Sequence, residues 1–130
     1  MTQEHQYKYF SYKGDPKLAC SCCGEQGLKH ELMTKLDDLR EAVGVPLHVT
    51  SGFRCAEFNA QVSSTGAAGP HTSGLAVDIQ CSGKKAHAVL QEALALGFTG
   101  IGVKQKGSHS SRFIHLDLLE DGPRPWVWSY

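Results

Sequence analysis

The sequence predicts an α+β domain, built as a small and largely antiparallel sheet with helices packed on one side. Apolar residues recur at helical spacing in two stretches, residues 28–43 and the stretch that follows Ser82. Short runs typical of strands lie between and after these stretches. The resulting order of helix, strand, strand, helix, strand and strand favours an α+β fold.

The two longer helices are identified by their apolar positions and by the residues that end them. The first carries an apolar stripe at i, i+4, i+7 and i+11, formed by Leu32, Leu36, Leu39 and Val43. Gly44 and Pro46 mark its end. In the second helix, Ser82 is expected to cap the start and Gly97 to end the last turn. Its predicted core face consists of Ala86, Val89, Leu90, Ala93 and Leu94.

Four strands are predicted, at residues 47–50, 75–79, 100–103 and 113–118. A short helix is expected between the first two strands, over residues 56–62. Small and polar residues predict a flexible loop at 63–70 and a second polar loop at 104–111. Residues 1–19 are predicted to form an irregular N-terminal arm whose aromatic side chains pack it onto the body.

The balance of charge narrows the classes of function. Thirteen basic and thirteen acidic side chains give no net charge, so nothing favours binding to nucleic acid or to an anionic membrane. No apolar run approaches the length of a membrane span, and residues 1–12 lack the apolar core of a secretory signal. We therefore expect one monomeric domain that is made in the cytoplasm without a signal peptide.

One candidate site begins at His71. This residue and Asp78 stand seven positions apart, and Gly74 between them permits a tight turn. Burial of an aspartate in an apolar strand is costly unless a cation or hydrogen-bond donors satisfy it. An imidazole and a carboxylate that converge from a loop and a strand form half of a zinc site.

A second histidine completes this candidate site. His115 and Asp117 lie two residues apart in the last predicted strand, so both side chains project from one face. His71, Asp78 and His115 would supply three zinc ligands and leave the fourth position to water. That is the arrangement of a catalytic zinc.

Three motifs in this order resemble the zinc D-Ala-D-Ala carboxypeptidase family. They are Ser51-Gly52-Phe53-Arg54, the pair His71-x6-Asp78, and Phe113-Ile114-His115-Leu116-Asp117. The family includes the vancomycin-resistance dipeptidases, phage endolysin peptidases and, by fold, the hedgehog signalling domain. The similarity extends from about Leu32 to the closing segment of residues 126–130.

The resemblance implies a single zinc peptidase domain over residues 1–130, with a hedgehog/DD-peptidase-like fold, that hydrolyses peptidoglycan stem peptides. It implies either a D-Ala-D-Ala carboxypeptidase or an L-Ala-D-Glu endopeptidase, and the sequence does not choose between them. A phage or prophage endolysin, acting on the cell wall after release, is compatible with it. The alternative is a non-catalytic zinc-binding module of the hedgehog type, such as a component of a phage particle.

The residue that handles the catalytic proton is left open. In several members the base is an acidic residue three positions before the last histidine ligand, but this sequence has Arg112 there, which accepts no proton. In hedgehog the comparable glutamate lies six positions before, where this sequence has His109. We predict Asp117 as the first candidate and His109 as the second. Asp117 could instead fix the orientation of an imidazole.

Substrate-binding candidates accompany these residues. Arg54 matches the family's arginine that binds the substrate carbonyl or carboxylate, and its guanidinium offers a fork of donors suited to either group. A structural ion pair is the alternative reading of Arg54. Ser51 is expected to support the same turn. Trp128 is a further substrate-binding candidate, unless it belongs to the core.

The five cysteines, an odd number, argue against a disulfide framework. We interpret them first as reduced, partly buried thiols of a cytosolic protein. The second interpretation is a structural zinc held by Cys20, Cys22, Cys23 and Cys55. The Cys-x-Cys-Cys run departs from the usual paired Cys-x2-Cys spacing, which favours the first interpretation.

Overall fold

The computed structural model describes residues 7–66 and 68–130. Within these residues there are three α-helices, α1 (His30–Val43), α2 (Ala56–Val62) and α3 (Gly83–Ala95). The strands of the same residues are β1 (His48–Ser51), β2 (Ala76–Gln80), β3 (Gly100–Lys104), β4 (Phe113–Asp117) and β5 (Trp126–Ser129). One-turn 3-10 helices lie at Pro16–Leu18, Pro70–Ser73 and His109–Ser111.

The strands of the described residues form one sheet in the order β1-β2-β4-β3-β5. The first four pair antiparallel, whereas β5 runs parallel to β3. The predicted α+β class with a largely antiparallel sheet is therefore confirmed. The predicted helices and the first four strands agree with the observed ones to within a few residues.

The fifth strand is absent from the strands that the sequence predicts. Its residues Trp-Val-Trp-Ser lack the alternation of a half-buried strand, and they follow Pro123 and Pro125, which are turn signals. The pairing joins Gly100 to Trp126 and Val103 to Ser129, with β4 intervening in the chain. A contact between segments so far apart leaves no local pattern in the sequence.

Helices α1 and α3 cover one face of the sheet and bury its apolar side chains. The buried cluster contains Leu32, Met33, Leu36 and Leu39 from α1, Ala86, Val89 and Ala93 from α3, and Val77, Ile79, Ile114 and Leu116 from the strands. As predicted, α1 ends at Gly44, which has a φ of 81° and donates its N–H to the carbonyl of Arg40 at 3.0 Å.

One residue predicted for the core is placed wrongly by the sequence. Leu94 is 62 % exposed, whereas Ala86, Val89 and Ala93 on the same helix are buried. These three positions form the stripe that faces the sheet. Leu94 lies about 100° further around the helix than Ala93, so its side chain turns to solvent. The apolar stripe is thus wider than the face that packs.

The N-terminal arm is attached to the body over its described part, residues 7–19. Phe10 and Leu18 are buried in the main core. The backbone N–H groups of Lys8 and Tyr9 donate to the Asp37 carboxylate on α1, at 2.8 and 2.9 Å. The prediction that aromatic side chains pack the arm onto the body is confirmed for Phe10.

The face of the sheet opposite α1 and α3 is polar. Asp78 of β2 and His115 and Asp117 of β4 project from it, and the β3 residues paired with Asp117 and His115 are Gly100 and Gly102. Nothing among the described helices is long and apolar enough to span a bilayer. The polar face therefore carries the candidate functional side chains of the described strands.

Candidate active site

Three side chains converge on the polar face. His71, Asp78 and His115 are all buried, and their donor atoms lie within 4.8 Å of one another. His71 Nε2 is 3.3 Å from Asp78 Oδ1, and His115 Nδ1 is 3.0 Å from the same oxygen. We call these residues the histidine–aspartate cluster. The structure thus brings together all three residues that the sequence predicts as metal ligands.

The backbone explains why these side chains meet. Asp78 and His115 are directly opposite partners in the antiparallel pair of β2 and β4. His71 lies in the one-turn helix Pro70–Ser73, which ends at Gly74 with a φ of 79°. A Cβ on Gly74 would also stand 2.3 Å from the carbonyl oxygen of Gly27. Only glycine suits this turn, which returns His71 toward the strand.

The outer nitrogen of each imidazole faces a hydrogen-bond acceptor. His71 Nδ1 is 2.8 Å from the carbonyl oxygen of Gly52, and His115 Nε2 is 2.8 Å from Asp117 Oδ2. A proton on each outer nitrogen satisfies these bonds and leaves the inner nitrogens, His71 Nε2 and His115 Nδ1, with free lone pairs. Metal-binding histidines are usually fixed in this way.

The inner lone pairs and the Asp78 carboxylate repel one another unless a cation lies between them. In the metal-free protein, desolvation lowers the pKa of His115, but hydrogen bonds to Asp117 and Asp78 raise it above its ordinary value overall. Desolvation likewise opposes ionisation of Asp78, yet the two histidines hold its pKa well below its usual range. The cluster therefore favours a positive charge at its centre.

The distances suit zinc. With Zn–N and Zn–O bonds of about 2.1 Å, two ligands of a tetrahedral site stand about 3.4 Å apart. The observed distances from Asp78 Oδ1 to His71 Nε2 and to His115 Nδ1, 3.3 and 3.0 Å, are close to this ligand–ligand separation. Two imidazoles and one carboxylate also form a ligand set that zinc takes in catalytic sites, with a fourth position left for water or substrate.

The family comparison agrees with this geometry. A model of the Peptidase M15 family matches residues 8–117, which include the whole histidine–aspartate cluster. The chain belongs to the M15 peptidase family. M15 peptidases are zinc-dependent, so the chain is a zinc metallopeptidase by family. No curated protein and no solved structure gave a match to the chain.

In this M15 peptidase the Asp117 carboxylate is buried, and its oxygens are already bonded to neighbouring side chains. Its side chain is fully buried, and Arg124 donates to both of its oxygens, through Nε at 3.0 Å and Nη2 at 2.7 Å. Desolvation raises the pKa of this carboxyl, but the bonds from His115 and Arg124 outweigh it and lower the pKa to about 2. The sequence interpretation missed Arg124, which lies beyond the family match.

Two glycines of β3 make room for the residues around His115. A Cβ on Gly100 would lie 2.2 Å from Asp117 Oδ1, and a Cβ on Gly102 would lie 2.5 Å from Nε1 of Trp128. The Trp128 ring in turn packs against the His115 ring at an angle of 49°, with ring centroids 5.2 Å apart. The spacing Gly-x-Gly in a strand is therefore the sequence signal for this crowded face.

Arg54 lies next to the cluster, as predicted. Its Nη2 is 4.0 Å from Asp78 Oδ2, and its Nη1 donates to Asn59 Oδ1 at 3.3 Å. Asn59 is 1 % exposed and is itself held by Thr65 and Gly66. The sequence interpretation places Asn59 on the short helix α2 but assigns it no role. It fixes one side of the guanidinium and leaves the other side toward the metal site.

The remaining predicted site residues lie in different surroundings. Ser51 pairs with Asp78 in the β1–β2 ladder, beside the cluster. His109 is exposed, with Nδ1 3.1 Å from Ser82 Oγ, and no contact within residues 7–66 and 68–130 joins it to the three ligands. Arg112 donates to the carbonyl of Gly107 at 3.1 and 3.0 Å, in the loop before β4. The structure brings Arg54 and Ser51 to the site, but not His109.

Four cysteines form a second cluster. The sulfur atoms of Cys20, Cys22, Cys23 and Cys55 all lie within 4.8 Å of one another. We call these residues the cysteine cluster. Cys20 is buried, Cys55 is partly exposed, and Cys22 and Cys23 are exposed. The fifth cysteine, Cys81, is buried outside the cluster and donates to the carbonyl of Ile79 at 3.4 Å.

Proposed function

We propose that this chain is a zinc metallopeptidase that hydrolyses peptidoglycan stem peptides. The observation that carries the proposal is the histidine–aspartate cluster, in which both inner nitrogens and Asp78 face one point and the outer nitrogens are already bonded. The M15 family supports zinc peptidase chemistry. The peptidoglycan substrate, and a role as a phage or prophage endolysin, are supported by the sequence resemblance alone.

The metal site divides the work among its residues. Zinc bound by His71, Asp78 and His115 would supply a Lewis acid and a water whose pKa is lowered toward neutrality. The carbonyl of Gly52 and the carboxylate of Asp117 hold the two imidazoles with their inner nitrogens directed at the metal. Arg54 lies beside these ligands, with Nη2 4.0 Å from Asp78 Oδ2.

Arg54 is the residue that would bind the substrate anion. With Asp78 engaged as a metal ligand, the Arg54 guanidinium, whose Nη2 lies 4.0 Å from Asp78 Oδ2, would be available to a substrate anion. Asn59 continues to hold Nη1, which leaves Nη2 and its donors for an incoming carboxylate or carbonyl oxygen. A terminal carboxylate at this point would make the enzyme a carboxypeptidase, and a carbonyl oxygen would make it an endopeptidase.

The two hydrogen bonds from Arg124 favour a role for Asp117 in positioning His115 over a role as the general base. To accept a proton in catalysis, a carboxyl with a pKa of about 2 would have to lose its bonds to Arg124 and leave a fully buried position. As a hydrogen-bond acceptor for His115 Nε2, it needs no rearrangement. Proton transfer by Asp117 or by His109 stays a prediction that the variants below separate.

The aromatic residues beside the site offer a wall for the substrate. The Trp126 and Trp128 rings pack at an angle of 46° with centroids 5.6 Å apart, and Trp128 contacts His115. Trp126 is 48 % exposed and therefore lies outside the core. We assign this wall to contacts with the side chains or the sugar of the substrate. The sequence predicts Trp128 as a substrate-binding residue without naming the part of the substrate that it contacts.

The test is digestion of purified cell wall with the zinc-loaded protein, followed by mass analysis of the released fragments. Stem pentapeptides with a free or an amidated C-terminus then separate the two specificities, because only the carboxypeptidase depends on the free carboxylate. We expect His115→Ala to abolish release and His87→Ala, on the exposed side of α3, to leave it unchanged. Release that persists in the His115 variant would contradict the proposal.

A second candidate function is a non-catalytic zinc-binding module. Two observations favour it: position 112 is an arginine that donates to the carbonyl of Gly107, and Asp117 accepts hydrogen bonds from Arg124. Such a module would bind one zinc in the histidine–aspartate cluster and release no fragment from the cell wall. The digestion assay, combined with metal analysis of the same sample, decides between the two functions.

A further inference from the structure

We propose that the cysteine cluster binds a second zinc ion, in a closed structural site made of four thiolates. A tetrahedral site with Zn–S bonds of about 2.3 Å has sulfur atoms about 3.8 Å apart. Cys22 Sγ lies 3.6 Å from Cys20 Sγ and 3.3 Å from Cys55 Sγ, and all four sulfur atoms fall within 4.8 Å. The sulfur atoms therefore already enclose a volume of the right size.

The backbone around Cys20 forms a tight loop. The N–H of Cys20 donates to the carbonyl of Glu25 at 2.9 Å, and the N–H of Gly24 donates to the carbonyl of Cys20 at 2.7 Å. Gly24 has a φ of 76°, which closes the loop at low steric cost. Cys20 and Cys23 also stand three positions apart, so the Cys-x2-Cys spacing of zinc sites is present within the Cys-x-Cys-Cys run.

Backbone amides support the sulfur atoms as acceptors. The N–H of Cys55 donates to Cys20 Sγ at 3.3 Å, and the N–H of Phe58 donates to Cys55 Sγ at 3.4 Å. Donors directed at sulfur stabilise thiolates rather than thiols, and they are the outer partners expected around a metal–thiolate site. These bonds also fix where Cys20 and Cys55 point before a metal binds.

The four cysteines come from two segments that are distant in sequence. Cys55 directly follows Arg54, whose N–H donates to the carbonyl of His71 at 3.2 Å. Phe53, the residue before Arg54, donates its N–H to the carbonyl of Leu18 at 2.9 Å, and Leu18 lies two residues before Cys20. A metal at this point would fasten the arm to the turn that carries Arg54. It would thereby hold the substrate-binding arginine and the loop of His71.

The inference stands apart from the proposed function, because it is tested by metal content without any substrate. Protein purified under reducing conditions is expected to contain two zinc ions per chain. Replacement of the metal by cobalt should give the intense thiolate-to-cobalt charge-transfer bands of a tetrahedral thiolate site. One zinc per chain together with the absence of these bands would overturn the proposal.

Variants then locate the second ion. The double variant Cys22→Ser with Cys23→Ser changes only exposed residues, and we expect it to lose one zinc and the charge-transfer bands. Cys81→Ala, which removes the cysteine outside the cluster, should keep both. His71→Ala with His115→Ala should lose one zinc and keep the bands. Bands that survive in the double cysteine variant, or fewer than five titratable thiols in the chelated and denatured wild type, would refute the site.

Discussion

Two neighbouring residues link the histidine–aspartate cluster to the cysteine cluster, because Arg54 lies beside the first and Cys55 belongs to the second. The two clusters nevertheless differ in their donors and in their burial. The first consists of nitrogen and oxygen donors on paired strands and a one-turn helix, and it is buried. The second consists of sulfur donors on surface loops, two of them exposed. Three protein donors leave a metal an open position for chemistry, whereas four sulfur donors would complete a tetrahedral site.

The difference extends to the groups behind the donors. Each imidazole has a fixed acceptor, Gly52 or Asp117, and Asp117 is fixed in turn by Arg124. The sulfur atoms have backbone amides, which come with the loops themselves. A catalytic site needs its ligands aligned for the reaction, and the buried charges of Asp117 and Arg124 behind His115 can provide that alignment. A structural site needs only the closure of two segments.

The largest expected effect is the loss of activity in the double variant His71→Ala with His115→Ala, which removes one cluster's metal and leaves that of the other. Both inner nitrogens are removed, so peptidase turnover should fall below detection and one metal equivalent should be lost. The chain should remain folded, because the opposite face of the sheet is packed by α1 and α3. Digestion assays with metal analysis check this, and loss of both metals would show that the clusters are not independent.

The next effect concerns substrate binding. Arg54→Ala is expected to lower kcat/KM by roughly two to three orders of magnitude, the cost of losing one charged donor at a reacting group. Zinc content should remain, because Arg54 contacts Asp78 without replacing a ligand.

A matched control for that variant is Arg112→Ala, whose guanidinium bonds only the Gly107 carbonyl among the described contacts. Steady-state kinetics on one stem peptide compare the two variants. Equal losses of activity would mean that Arg54 is a structural ion-pair residue.

A smaller effect separates the two readings of Asp117. As a positioning carboxylate it should, on conversion to asparagine, lower zinc affinity by about ten- to a hundredfold. As a general base it should lower turnover by about two to four orders of magnitude with zinc still bound.

Competition with a chelator measures the affinity, and turnover at saturating zinc measures the chemistry. His109→Ala completes the test of the proton. We expect it to be active, because His109 is exposed and bonded to Ser82. An inactive His109 variant with an active Asp117→Asn variant would place the proton on the polar loop.

The smallest effect is on stability in acid. The folded pKa of Asp117 is about 2, below its ordinary value of 3.8. A lowered pKa contributes stability that is present above the unfolded pKa and lost as the pH falls through the folded one. This carboxyl should therefore remove about 2 kcal/mol from the free energy of unfolding between about pH 4 and about pH 2.

Chemical denaturation of the chelated protein at several pH values measures that loss. Arg124→Ala should reduce the contribution of Asp117 to this pH dependence by roughly half, because His115 remains as a partner of Asp117. Arg112→Ala should follow the wild type. If the free energy of unfolding of the Arg124 variant depends on pH as in the wild type, the two bonds from Arg124 do not stabilise the ionised Asp117 carboxylate.

The parts of this site that the sequence predicts are those with a local pattern. His71, Asp78 and His115 stand at motif spacings, and the strands that carry Asp78 and His115 alternate clearly. The supporting residues have no such pattern. Arg124 reaches Asp117 only because the segment after β4 folds back, and Asn59 reaches Arg54 only because α2 packs near His71.

Physical reasoning about burial could still have narrowed the search for Arg124. A buried Asp117 that bonds a histidine needs a further positive partner, and Arg124 is the next basic residue in the chain. The fifth strand offered less, since its pairing with β3 depends on the tertiary fold and its sequence lacks alternation. The prediction that Leu94 belongs to the core is wrong for the opposite reason. The apolar pattern of α3 includes Leu94, but this position lies beyond the face of the helix that packs against the sheet.

The most direct test of the central claim is crystallography of the zinc-loaded protein with anomalous data at the zinc absorption edge. We expect a peak about 2.0–2.2 Å from His71 Nε2, an oxygen of Asp78 and His115 Nδ1. Asp117 should remain on His115 Nε2, as it does at 2.8 Å in this structure. A zinc bound through the outer nitrogens, or no peak between the three residues while the cysteine cluster is occupied, would contradict the account.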